Sequence, residues 1–481
     1  MILNRKNYEP NSAQSCTVPY NPIKIISGMK RRGFIGTSGA LAFSAILPGC
    51  SAGGTPERVS DRKEKQKKMT ISAIAGLTVR ELLENYRSYL YDDFLPFMDK
   101  HVVDHERGGF MTHADRRGNL LSTTKRAWYD GRGLWVYSFL YNNLGNDPSH
   151  LEIARKTTEL LLGMRPADGE FWPWSYTREG QPITGTLPDI YGNLFIAEGL
   201  AEFSKATGDQ KYYDISKEIV ISCFNLYDRA DYLHAVTYGP DADQLTGPRI
   251  LGHWMVFLKV ATTLLCVKED PAIENIADRC IDALMNKHYM PEFDLMIEVL
   301  NHDMTVPEGP FSQFCYAGHI IEVLWMVMDE ALRRKDKGLY DLAVKRLKRH
   351  TEVAWDDVYG GLFRCLENID LNIWQVDKVL WEQAELLIGT MNMIEHTADP
   401  WAFCWFEKTY NYVMENYPLK KHGFPLWNFS GDRKMTFVEE YERIENYHHP
   451  RHLMLNILSL ERILKNGNRP LFPGKKDSID T

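Results

Sequence analysis

The chain has 481 residues, enough for one large core, and its 56 basic and 64 acidic residues leave a net charge of −8 with no interior run of like charge. That balance excludes a nucleic-acid surface as the organising feature. Twelve Trp, 24 Tyr and 21 Phe exceed what a plain core requires, and rings with an apolar face and a polar edge line sugar clefts as well as pack helices.

The chain opens with a segment that reads as an export signal over residues 1–50, with its true start at Met29. In "MKRRGFIGTSGALAFSAILPGC", Arg31 and Arg32 resemble a twin-arginine signal and a short apolar run covers residues 40–47. "LPGC" resembles a bacterial lipoprotein processing site, which puts a lipid on Cys50. The run is shorter than the about 20 apolar residues a spanning helix needs. Residues 51–69 are small and charged, as in a flexible tether, and 468–481 form a polar tail. The expectation is a periplasmic or cell-envelope lipoprotein, monomer or homodimer, that meets the membrane only through its anchor.

From residue 70 to 467 the pattern is helical. Apolar residues recur at three and four in "VRELLENYRSYLYDDFLPFMDKH", "GLWVYSFLYNNLG", "LEIARKTTELLLGM", "LFIAEGLAEFSKATGD", "MVFLKVATTLLCVK" and "ENIADRCIDALMNKH". They recur again in "HIIEVLWMVMDEALRRKD", "LYDLAVKRLKRHTEVAWD", "LWEQAELLIGTMNMIEH", "WAFCWFEKTYNYVMENY" and "RHLMLNILSLERILK", which predicts about a dozen helices. Between them, "HERGGFMTHADRRGN" and "WDDVYGGLFRCLENID" share an acidic residue, a glycine pair and a turn; "ADGEFWPWSYTREGQ" and "KHGFPLWNFSGDR" are looser relatives. Such segments predict short β-hairpins. Helix pairs punctuated this way predict an all-α toroid of helical hairpins with its ligand site at one mouth; no strict period favours an open solenoid. The cysteines at 223, 266, 280, 315, 365 and 404 lack CxxC spacing, so no zinc site is expected. No phosphate loop or GxSxG elbow occurs.

Ionisable and aromatic residues concentrate in four places. In "KRAWYDGRGLWVYS", Arg132 opposes the macrodipole at a helix start, so it holds either an anion or Asp130. In "FCYAGHIIEVLWMVMDEAL", His319 and Glu322 share one face of an apolar helix and need hydrogen bonds or a wet cavity. "DKVLWEQAELLIG" carries Trp381, Gln383 and Glu385. "IENYHHPRHLM" places His448 three residues before Arg451, beside Tyr447, with Pro450 at the opening of the last helix.

"RGGF", "WYDGRGLWVYS", "AGHIIEVLWMVMDEAL", "LWEQAELLIG" and "YHHPR" follow one another in the order that resembles the N-acylglucosamine 2-epimerase family, which includes cellobiose 2-epimerases and mannose isomerases. The resemblance covers about residues 75 to 465 and implies an (α/α)6 barrel. It implies that Arg132 holds the substrate oxygen, that His319 in "GHIIE" and His448 in "YHHPR" are the acid/base pair, and that Glu322 partners His319. His449 and His452 are left as surface or packing residues. Tyr191 in "PDIYGNLF" resembles a tyrosine of the cleft wall, and His253 in "LGHWMVFLKV" resembles a further histidine, although the glutamate that follows it in the family is unmatched. Trp128, Trp381, Glu385 and Arg451 complete the expected substrate contacts.

The implied activity is a sugar 2-epimerase or aldose-ketose isomerase working by proton transfer at C2, with a carbohydrate partner and without metal or organic cofactor. A histidine's ordinary pKa of about 6.5 suits both roles in that transfer. Two rival readings stand beside it. One is an inverting or unsaturated-uronide glycoside hydrolase using carboxylates such as Asp130, Asp189, Glu322 and Glu385; the other is a lipoprotein that only binds glycans.

Overall fold

The computed structural model describes residues 70–167, 170–183, 190–232, 247–438 and 443–472. The export signal, Cys50, the tether, Asp189 and the tail beyond 472 lie outside the described residues. Twelve barrel helices are present among the described ones. The first is a rod of α1 (Val79–Ser88), a π-helical segment (Tyr89–Phe94) and α2 (Leu95–His101). The wider turn absorbs Pro96, which has no N–H to give and crowds the carbonyl four residues back.

The other helices alternate between two layers. The inner layer is α3 (Ala127–Asn143), α5 (Ile190–Thr207), α7 (Leu251–Val267), α9 (Ala317–Arg334), α11 (Leu380–Thr397) and α13 (His448–Lys465). The outer layer is α4 (Pro148–Gly163), α6 (Gln210–Tyr227), α8 (Pro271–Asp282), α10 (Lys337–Ala354), α12 (Pro400–Asn416) and the α1–α2 rod. Burial separates the layers. Helix α5 is buried on every face from Ile190 to Ser204, whereas α10 buries a stripe that includes Tyr340, Ala343, Leu347, Thr351 and Ala354. Each inner helix packs on the next and α13 returns onto α3, closing the ring. The all-α toroid expected from periodicity is therefore the observed architecture.

The two rims differ in their local chemistry. Inner helices turn tightly into outer ones, and Asp147, Asp209, Asp270, Asp336 and Asp399 each cap an outer helix with the side chain. At the other rim, α3, α7, α9 and α11 are entered from the extended residues Arg126, Ile250, Tyr316 and Val379, with no side-chain cap. Short antiparallel strands join there: Lys125–Arg126 with Ser175–Tyr176, Arg249–Ile250 with Val299–Leu300, and Lys378–Val379 with Ser430–Gly431. Cys315–Tyr316 pairs in the same way with the start of Cys365–Asn368. These pairings tie one helical hairpin to the next, where local hairpins are expected from the glycine-pair loops. A local hairpin does form between Cys365–Asn368 and Ile373–Gln375, while the first glycine-pair loop makes only isolated bridges, Val103 to Phe110 and Ala114 to Leu120.

Helix α6 is the barrel helix that apolar periodicity does not pick out. Its buried stripe mixes Tyr213, Ser216, Cys223 and Tyr227 with Ile219, Val220 and Phe224, and the Ser216 hydroxyl donates to the Ala197 carbonyl at 2.6 Å. No helix of the described residues is long and apolar enough to cross a membrane.

Candidate active site

All ten catalytic and binding positions expected from sequence fall in the first two turns of the six inner helices. Trp128 and Arg132 lie on α3, Tyr191 on α5, His253 on α7, His319 and Glu322 on α9, Trp381 and Glu385 on α11, and His448 and Arg451 on α13. They gather at the mouth because the inner helices run parallel in the ring and begin there. The same ends carry the positive poles of the helix dipoles and their unsatisfied N–H groups, a setting that favours negative charge.

The two histidines flank one indole: the Trp381 ring is 5.6 Å from His319 and 5.1 Å from His448. Each imidazole is anchored through Nδ1 by a carboxylate. His448 Nδ1 lies 2.9 Å from Glu385 Oε1. His319 Nδ1 lies 2.8 Å from Oε1 of Glu298, a residue with no place in the sequence expectation. A carboxylate only accepts, so in each ring Nδ1 donates to its carboxylate and proton exchange falls to Nε2. Glu298 is therefore the partner expected of Glu322. Its signal in the sequence is a lone carboxylate in the apolar stretch "LMIEVL", where burial demands a partner.

Glu322 works elsewhere, in a buried cluster under His448. The Arg451 guanidinium donates to Glu322 and, at 2.7 Å, to Glu385, and its Nη2 is 3.1 Å from His448 Nδ1. The second oxygen of Glu385 accepts from Trp325 Nε1 at 2.7 Å. Glu385 and Arg451, both expected to contact substrate, are fully buried and lie beneath His448. Ligand atoms of Glu322, Glu385 and His448 lie within 4.8 Å of one another, near enough to gather a metal, but the cation among them is Arg451. The two carboxylates share that one cation from the same side, unlike a hydrolase pair facing each other across a bond.

Arg132 is buried and makes no ion pair with Asp130, which instead accepts from the Phe110 N–H at 2.8 Å and the Tyr176 hydroxyl at 2.6 Å. The guanidinium lies over Phe195 at 4.1 Å, Tyr447 at 4.7 Å and Trp128 at 4.8 Å, and its Nε has no hydrogen-bond partner among the described residues. A cation held by rings is free to take an anion. His253 is buried against Tyr191 and Tyr227, with ring centroids at 4.4 and 5.2 Å, so it backs the wall that Tyr191 forms. Gly252 gives the Tyr191 hydroxyl its room, since a Cβ there would lie 2.3 Å from that oxygen and 3.0 Å from the His319 ring. His449 and His452 are buried and pack on Trp427. Glu445 fixes the start of α13 by accepting from the N–H groups of Tyr447, His448 and His449.

The environments push the two histidines apart. Burial disfavours the charged form of His319, but Glu298 beside it reverses this and raises the pKa. Burial takes His448 well below the usual range; Glu322 opposes this, and Arg132 and Arg451 add to it. His319 is thus the more readily protonated of the two and His448 the more readily neutral, the division that an acid and a base require.

A closed barrel of six helical hairpins whose mouth holds two carboxylate-anchored histidines and a ring-stacked arginine has the groups that proton transfer on a carbohydrate requires. The chain belongs to the N-acylglucosamine 2-epimerase family, whose model matches residues 89–449. It is 24% identical to the N-acylglucosamine 2-epimerase of Mus musculus over 360 residues, 72% of this chain and 84% of that one. It is 23% identical to the cellobiose 2-epimerase of Bacteroides fragilis over 372 residues, 74% and 93% of the two chains. The fold matches the structure of the cellobiose 2-epimerase from Bacillus thermoamylovorans B4167 with a TM-score of 0.68 at 19% identity, covering 79% of this chain and 99% of that one.

Proposed function

We propose that the protein moves the C2 proton of an open-chain aldose between His448 and His319. The observation that carries this reading is the pair of imidazoles, each held by its own carboxylate on either side of Trp381. Neutral His448 takes the proton from C2 through Nε2, and the C–H electrons pass into the carbonyl to give an enediolate. Arg132 holds the developing oxyanion in a water-poor site, where such an interaction is strongest. Protonated His319 returns a proton to the opposite face of C2, inverting it; return to C1 gives the ketose. Glu385 and Arg451 set the ring of His448, and Glu298 sets that of His319.

The test is proton NMR of the chain from residue 70 on, with mannose, glucose, N-acetylglucosamine, cellobiose and mannobiose in deuterated water. Deuterium at C2 of a new epimer or ketose, lost in His448→Ala, is the expected result. Cleavage of a glycan, or binding without exchange, overturns it. With the export signal of residues 29–50, we further propose that the substrate is an oligosaccharide met outside the cytoplasm by a protein anchored through Cys50. Palmitate label that persists in Cys50→Ala removes the anchor.

A further inference from the structure

The two glycine-pair loops build the same buried latch twice. Asp104 is followed by Gly108, Gly109 and Phe110; Asp356 is followed at the same spacing by Gly360, Gly361 and Leu362. In the first copy, Lys125 Nζ donates to Asp104 Oδ2 at 2.9 Å, to the Gly108 carbonyl at 2.6 Å and to the Arg178 carbonyl at 3.1 Å. In the second, Lys378 Nζ donates to Asp356 Oδ2 at 3.1 Å and to the carbonyls of Gly360 and Gly361 at 2.8 and 3.0 Å. Both lysine side chains are 0% exposed. Arg178 closes Asp104, and Arg433 closes Asp356, from the partly exposed side. Five positions after each lysine, a side-chain oxygen takes the N–H that follows the glycine pair: Asp130 from Phe110 at 2.8 Å, Gln383 from Leu362 at 2.9 Å.

Seven positions after each lysine stands a residue of the site: Arg132 in one copy and Glu385 in the other. Each lysine occupies the strand that runs straight into its helix, α3 or α11, and neither helix has a side-chain cap to fix its start. A slip of one residue would rotate Arg132 or Glu385 by about 100° and shift it by about 1.5 Å. An ammonium with all three donors engaged on a loop, inside the protein, prevents that slip.

We propose that Lys125 and Lys378 are positioning residues, two copies of one latch that set the registers of α3 and α11 and so aim Arg132 at the substrate oxygen and Glu385 at His448. The latches act on different catalytic functions, the first on the oxyanion and the second on the base. This rests on the site assignment above, and it is tested by a readout that needs no turnover.

The full chain, labelled with nitrogen-15 histidine and assigned with His448→Gln, is titrated as wild type, Lys125→Met and Lys378→Met. In Lys378→Met the His448 ring loses its Nδ1 hydrogen bond to Glu385, so it titrates at lower pH while His319 stays in place. Turnover falls about tenfold or more, as small misplacements do, with KM little changed. Lys125→Met lowers turnover and, by moving the Arg132 cation that helps to keep His448 neutral, shifts the His448 titration the opposite way, to higher pH. Arg433→Gln and Arg178→Gln, which loosen the same aspartates from the exposed side, give the same pair of responses if the lysine variants do not fold. A folded Lys378→Met or Arg433→Gln with an unmoved His448 titration overturns the proposal, as does one response common to both latches. If wild type exchanges no C2 proton while the titration still moves, the latch stands and the functional reading fails.

Discussion

His319 and His448 differ less in their chemistry than in what surrounds them, and pH is the variable that exposes the difference. For the direction in which His448 takes the proton, the free enzyme must hold His448 neutral and His319 charged. The alkaline limb of kcat/KM therefore follows the loss of the His319 proton, and Glu298 holds that limb at raised pH. Glu298→Gln removes the anion that favours the cation, so the limb moves to lower pH while the acid limb, set by His448, keeps its place; a pH-rate profile of the variant checks this. Arg451→Met leaves Glu322 and Glu385 buried beside each other without their cation, and breaking such a pair costs about 3–5 kcal/mol, read as a loss of unfolding free energy in denaturant titration. Arg451→Lys restores only part of it, because lysine keeps the charge but has no planar guanidinium to lie over the Trp325 and Tyr447 rings. At this scale Arg132, His319 and His448 were legible, since each stands in a short motif. Glu298 was not, because its partner is fixed by how a mouth strand folds back onto a helix start, which no local spacing encodes; Glu445 binds N–H groups only two to four residues on and was open to a capping argument. The placement of Glu385 and Arg451 beneath His448 was hidden for a related reason: a charged residue near a helix start has the same letter whether it faces a ligand or lies under a histidine.

Helix against helix, α3 and α5 approach closely through glycines. A Cβ at Gly131 would lie 2.5 Å from the backbone of Phe195 and Ile196, and one at Gly199 would lie 2.8 Å from the Gly131 carbonyl. Gly131→Ala must separate the two helices and carry Arg132 away from Phe195. The expected destabilisation is about 1–3 kcal/mol, seen as a lower melting temperature, together with reduced turnover. Gly318 has the same constraint, with Trp381 and Glu382 carbons 2.4 Å from its Cβ position. Helices were the most legible part of the sequence, because a three-four apolar period survives in both layers; α6 escaped where tyrosine, serine and cysteine supply the buried stripe. The strands were legible as breaks but not as partners, since two-residue pairings between neighbouring hairpins leave no alternation to count.

Taken as a whole, the barrel places His319, His448 and Arg132 on α9, α13 and α3, three helices far apart in sequence that become neighbours of one mouth only in the closed ring. A toroid could be inferred from a dozen helices and punctuating loops, but its closure could not, because the contact of α13 with α3 joins segments more than 300 residues apart. That contact also orders events in time. Five inner helices can pair with a neighbour as soon as both exist, yet Arg132 meets the Tyr447 ring, which leads into His448, only when α13 docks against α3 and closes the ring. A refolding chain will regain its helical circular dichroism before it regains turnover, and the lag between the two signals times the docking of a single helix. Non-local contacts of this kind are the slow ones to form, so the enzyme's own reaction reports when the ring has closed.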